Sequence, residues 1–145
     1  MPADDPIPGR QHGRSVTVSR RVLATFYAIA GIIHLIMPGP FVSIVPQWVP
    51  SPELVVTWTG VAELLGSVGL AQSRSPLLRR AAGSGLALYA LCVWPANVEH
   101  MLIDLARPDR GLGFAYHVPR LAAQPLLIWL ALWTGEVVRW PFNRH

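Results

Sequence analysis

A few residues able to move a proton, hold a charge or present a directed hydrogen bond stand inside stretches that otherwise cannot: His34, Glu63, Asn97, Arg120 and Gln124. Glu63 is the sharpest case. It lies near the middle of Glu53–Gln72, an almost wholly apolar run. A helix there is long enough to cross a bilayer at about 1.5 Å per residue. A carboxylate at such depth costs roughly 2.5–3.5 kcal/mol on insertion scales. Glu63 is therefore either a proton-carrying or ligand-contacting group, or a structural one bonded to Gln124 or paired with Arg120. With Arg120 near the surface, desolvation is expected to win and to leave Glu63 neutral.

The other polar groups admit similar pairs of readings. His34 could relay a proton or ligate a metal or haem, or simply bond a neighbour. Bis-histidine haem would need a second histidine at matching depth. His100 and His117 are available, but no spacing demands it, so haem is not expected. Asn97 follows Pro95 and could satisfy a carbonyl that the proline frees. Arg120 could contact a ligand or anchor a helix at the interface. Zinc-ligand spacing, nucleotide-binding loops and nucleophile elbows are missing, so no metal site is expected. The single cysteine, Cys92, cannot form an intramolecular disulfide and reads as a small core residue.

The elements that must position these groups are apolar helices. The 145-residue chain is 52% hydrophobic and only 14% charged, with a net charge of +4. A soluble domain carries about 25% charged residues. All twelve basic residues are arginines, and they flank apolar runs instead of forming a stripe, which argues for a membrane and against nucleic acid. The reading is an all-α integral membrane four-helix bundle. Residues 1–21 are expected to be a disordered cytoplasmic tail, 22–138 the membrane domain, and 139–145 a short C-terminal tail.

Span one runs from Val22 to Met37, with Ala24, Tyr27, Gly31 and His34 on one face. Pro38 to Pro52 holds five prolines with Phe41 and Trp48 among them. That density breaks helix, so an interfacial loop able to cap a pocket is expected. Span two presents Thr59, Gly60, Glu63, Gly66 and Ser67 on one face, with Ala62 and Gly66 at small-xxx-small spacing. Ser73 to Arg80 is a basic turn. Span three starts near Ala81, presents Gly83, Ala87, Ala90 and Asn97, and continues past a kink at Pro95 towards Asp104. After a polar loop, span four runs from Val118 to Val138 and presents Arg120, Gln124, Leu127, Ala131 and Thr134.

Arginines number four in the N-terminal tail, three in the Ser73–Arg80 turn and two at the C-terminus, against none in Pro38–Pro52. The positive-inside rule then puts both termini in the cytoplasm. Every polar in-membrane group falls in the outer half, with Glu63 roughly 15 Å deep. A pocket is expected there, walled by Tyr27, Trp58 and Trp94, with His34, Glu63, Asn97, Arg120 and Gln124 as polar contacts.

In order and spacing, Gly31-x-x-His34, Pro46-x-Trp48-x-Pro50, Gly60-x-x-Glu63, Pro95-Ala-Asn97 and Arg120-Leu-x-x-Gln124 resemble the DoxX and DoxX-like membrane proteins. The likeness covers Val22 to Gly135. Two departures stand out: the chain lacks paired cysteines, and its RLAAQ-Pro125 run places the proline differently. The resemblance implies a four-helix membrane bundle associated with a respiratory, quinone-linked redox complex. The leading expectation is a subunit that binds a quinone or another lipid-soluble molecule and is no enzyme on its own. Its partners would be the bilayer and another oxidoreductase subunit. An accessory protein without a ligand, and a membrane enzyme acting on a lipid or sterol-like substrate with Glu63 as acid–base group, stay open.

Overall fold

The computed structural model describes residues 8–138 and is helical throughout that range apart from short connections. In chain order the helices are α1 (Pro8–Ile36), α2 (Gly39–Val42), α3 (Pro52–Ala71), α4 (Pro76–Ala106) and α5 (Gly113–Thr134). Prolines open α3 and α4 in the first turn, where the missing N–H costs no intrahelical bond. The Ser75 hydroxyl caps α4 by accepting from the Leu78 amide at 3.2 Å. The connection before α5 turns on Arg110, Gly111 and Gly113, all at positive φ. Between α1 and α3 the prolines leave only the single short helix α2 and a series of turns.

The long helices pack in the cyclic order α1–α3–α4–α5, each against the next, with α5 closing back on α1. Small residues set the spacing. A Cβ on Gly31 would lie 2.7 Å from the Gly60 carbonyl oxygen, so α1 and α3 meet almost backbone to backbone. Farther along the same pair, the Ser67 hydroxyl donates to the Ala24 carbonyl at 2.7 Å. Gly66 receives Leu86, and a Cβ on Gly83 would sit 2.6 Å from the Ala131 carbonyl of α5. These pairings make neighbouring helices antiparallel and enclose a core of Leu23, Ala24, Tyr27, Leu70, Leu86, Ala87 and Ala131.

Arg14–Ile36, Pro52–Ala71 and Pro76–Ala106 are each long and apolar enough to cross a membrane. Large apolar side chains cover their outer faces, among them Val22, Ile29, Ile36, Leu65, Val68 and Leu88. Such a surface is matched to lipid rather than water, and the chain is membrane-embedded.

Several boundaries differ from those read in the sequence. The disordered tail expected to reach Arg21 is helical from Pro8 onward, because α1 simply extends. Val16 is buried and Arg20 is tied down at the far end of the molecule, so this stretch has packing to order it. The basic turn shrinks to the few residues before Pro76, and the first turns of α4 already include Arg79 and Arg80. The last helix is shifted towards the N-terminus, at Gly113–Thr134 rather than 118–138. Helix α4 is assigned as helix continuously through Pro95. Cys92, expected in the core, is exposed. Ala62 also points outward, leaving Gly60 and Gly66 to make the close approaches. The C-terminal tail at 139–145 lies outside the described residues.

One lock was not foreseen. Glu136, just beyond α5 and held at φ 60°, accepts from Arg20 Nη2 at 2.6 Å and from Arg79 Nη1 at 2.8 Å. Arg20 Nε also donates to the Thr134 carbonyl at 2.9 Å. Charges from α1 and α4 thus clamp the end of α5. Burial pushes the Glu136 carboxyl up, but Arg79 and Arg20 outweigh it and hold it below the ordinary carboxylate value. A depressed folded value means that the stabilisation is complete above the unfolded carboxyl's titration and is lost as pH falls through the folded one. Glu136→Gln is expected to lower stability by about 1 kcal/mol near pH 7, since half-exposed ion pairs are weak. The deficit should vanish in acid, as read from thermal melts in detergent across pH 3–7 (approximately the carboxylate range). An equal deficit at every pH would rule out this assignment.

Candidate functional site

The faces expected to turn inward do so. Ala24, Tyr27, Gly31, Gly60, Glu63, Gly83, Ala87, Ala90, Asn97 and Gln124 are buried, while His34 and Arg120 are half-buried. A cavity of about 360 Å³ lies between the helices, at the end where α1 finishes and α3 begins. His34, Glu63, Asn97, Arg120, Gln124 and Tyr27 all line it. The segment between α1 and α3 contributes Phe41, Val45, Pro46 and Trp48, so the proline-rich connection forms part of the wall. Trp58 and Trp94 do not line the cavity; Trp58 is 67% exposed on the outer surface of α3.

Glu63 is 3% exposed, and its partners are not the expected ones. Tyr89 donates its hydroxyl to Glu63 Oε1 at 2.8 Å. His34 Nδ1 lies 2.9 Å from Glu63 Oε2, and it is also 2.9 Å from the Ala30 carbonyl. One ring N–H cannot align with both oxygens. It is aligned with Ala30, so Oε2 sits at ion-pair distance without an aligned donor. The His34 ring is further held by stacking on Phe41, with centroids 3.8 Å apart. Pairing of Glu63 with Arg120 or bonding to Gln124 is therefore not what the fold provides. Arg120 turns away to donate from Nη1 to His100 Nδ1 at 2.7 Å and lies over the Tyr116 ring at 5.6 Å. Physically, α5 enters from the surface, and its arginine finds acceptors in the outer turns of α4 before it can reach the depth of Glu63.

Three buried polar atoms on this cavity have no protein hydrogen-bond partner: Tyr27 Oη, Glu63 Oε2 and Gln124 Oε1. Tyr27 and Tyr89 stand edge to face with centroids 6.2 Å apart, so the free and the engaged hydroxyl share one wall. Leaving one such atom unsatisfied costs about 1–3 kcal/mol. Three on one cavity amount to a pattern of donors and acceptors directed at whatever fills it. Tyr89 was not anticipated. A tyrosine inside an apolar helix needs a partner for its hydroxyl, and that rule was the available signal.

A second polar cluster lies near the same end. Asp104, in the last turn of α4, is 5% exposed. Its Oδ2 accepts from the Leu112 amide at 3.0 Å and from His117 Nε2 at 3.0 Å, with His100 Nε2 at 3.6 Å. His100 and His117 therefore face each other, with ring centroids 4.9 Å apart, and neither supplies a second histidine to His34.

Residues 23–135 match the model of a family described as a domain of unknown function (DUF8561), and the chain belongs to that family. Comparison with curated proteins and with solved structures returns no match.

The geometry separates Tyr89 from Glu63 in a testable way. Tyr89→Phe strips the donor from a buried carboxyl oxygen and is expected to destabilise by about 1–3 kcal/mol. Glu63→Gln retains an acceptor for Tyr89 and should melt close to wild type. Thermal unfolding of both variants in one detergent checks this. A Tyr89→Phe protein as stable as wild type would mean that the bond carries no weight.

Proposed function

We propose that this chain is a four-span membrane protein whose cavity binds a lipid-soluble molecule with a polar head, of which a quinone is the best match. The observation that carries the proposal is the convergence of the unpaired Tyr27, Glu63 and Gln124 atoms on one otherwise apolar cavity. Tyr27 Oη can donate to a ring carbonyl. Glu63 Oε2 and Gln124 Oε1 can accept from a ring hydroxyl. The two forms of a quinone present both groups, and Phe41, Val45 and Trp48 offer apolar contact for the ring.

The fourth span in this reading is α5. At 22 residues it is roughly 33 Å long, enough for the hydrocarbon core, although His117, Arg120 and Gln124 reduce its hydropathy. The arginine bias supports cytoplasmic termini, with the cavity in the outer half of a bacterial inner membrane. The order of the Gly31/His34, Gly60/Glu63 and Arg120/Gln124 motifs supports kinship with DoxX-like proteins and service to a redox partner. In this reading the chain acts as a binding subunit, with Glu63 held by Tyr89 as a fixed contact group.

The test uses protein purified in lipid nanodiscs and titrated with a short-chain ubiquinone analogue, following tryptophan fluorescence. Wild type is expected to show saturable quenching. Tyr27→Phe, Glu63→Gln and Gln124→Leu should each weaken binding roughly 3- to 10-fold, the worth of one hydrogen bond. Quenching that does not saturate, or that is the same in all variants, would refute the site.

A further inference from the structure

We propose that His100, Asp104 and His117 form a binding site for one first-row divalent transition ion, of which Zn²⁺ is the natural probe. None of its three ligands lines the hydrophobic cavity, although Arg120, which does, contacts His100. His100 and Asp104 stand one helical turn apart on α4, and His117 comes from the second turn of α5. One potential ligand atom from each lies within 4.8 Å of the others. The measured separations from Asp104 Oδ2 are 3.0 Å to His117 Nε2 and 3.6 Å to His100 Nε2. Ligands bound to zinc at about 2.0–2.2 Å in a tetrahedron stand roughly 3.3 Å apart, so these atoms already bracket the required spacing.

The protonation states point the same way. Metal ligation needs neutral imidazoles and an ionised carboxylate. Arg120 can only donate, so the 2.7 Å contact from its Nη1 makes His100 Nδ1 an acceptor and the ring neutral. His117 is 0% exposed and its Nδ1 has no partner. Asp104 accepts from the Leu112 amide and His117, and among the described residues no arginine pairs with it. Arg107, the closest in sequence, is engaged with Asp109 at 3.1 Å. Ionised, Asp104 carries a negative charge that no arginine among the described residues offsets, and a bound cation would compensate it.

Asp104 is also held rigidly. A Cβ on Gly111 would fall 2.4 Å from its carboxyl carbon, so the loop after α4 wraps directly over the group. The exposed residues 107–112 of that loop leave a short path from water. Two imidazoles and one carboxylate suit zinc and its neighbours rather than Mg²⁺ or Ca²⁺, and three protein ligands leave a coordination position open. Ligation through His100 Nε2 and His117 Nε2 moves each ring's proton to its own Nδ1. Arg120 must then release His100, retaining its place over Tyr116. Removing Arg120 should accordingly tighten metal binding.

The experiment titrates chelator-treated, detergent-purified protein with Zn²⁺ against a competing dye, and with Co²⁺ by visible absorption. Wild type is expected to take one Zn²⁺ per chain and to give the intense bands of low-coordinate Co²⁺. Asp104→Asn and His100→Gln should each weaken binding at least 10-fold, and Arg120→Gln should strengthen it (ligand-shell changes are typically worth 10- to 100-fold). Thermal melts without metal confirm folding; should Asp104→Asn fail to fold, half-buried His100 keeps the test decisive. A chain that takes up no stoichiometric Zn²⁺, or one whose affinity is indifferent to these substitutions, overturns the site.

Discussion

A carboxyl group placed deep in an apolar bundle is the constraint to which much of this molecule answers. Glu63 cannot be left bare in a low-dielectric interior, and it cannot be paired from its own helix, where every neighbour is small or apolar. The Tyr89 hydroxyl reaches it from α4 and the His34 ring from α1. For His34 to arrive, α1 must lie against α3, and the Gly31–Gly60 contact allows it. The ring is then held in place by Phe41 from the proline-rich connection. Satisfying one side chain thus draws in three helices and the segment between two of them, and the cavity is the space that remains.

The opposite end is organised by a different balance. There the polar groups are charged, and Arg20 and Arg79 both meet on Glu136. One end of the bundle is closed by this ionic cluster and packed small residues. The other is held by hydrogen bonds among Tyr89, Glu63, Arg120 and His100 around an open volume. A protein that had to be both stable and able to admit a guest would be expected to separate the two tasks in this way, because close packing and cavities cannot occupy the same layer.

Much of the fold was legible in the sequence, because helical periodicity and apolar runs are local. The inward faces of all the long helices, and the gathering of His34, Glu63, Asn97, Arg120, Gln124 and Tyr27, follow from period and depth alone. Partner choice was not legible. Whether Glu63 meets Arg120 or Tyr89 depends on the rotation of α4 and on how far α5 enters, and these are set by tertiary packing. The same holds for Trp58, whose size suggested a wall but whose position on the helix turns it outward. Glu136 escaped notice because it follows the last apolar run, where a lone acid looks like a solvated end. His100, Asp104 and His117 form no recognisable motif, since their proximity is created by the loop that returns α5 along α4.

The glycine contacts also bear on which molecules can fit. Gly31 against Gly60 joins α1 to α3, and Gly83 against Gly135 joins α4 to the end of α5. At these distances neither pair has slack, so each behaves as a stiff plate. Gly66 against Leu86 and Gly69 against Ala82 hold the two plates together, while a Cβ on Gly39, in the segment from Pro38 to Pro52, would meet nothing within 4 Å. If the cavity takes the proposed ligand, discrimination should then fall on the thickness and edge groups of its head. The length of its tail, which can run out along lipid-facing surface, would matter little.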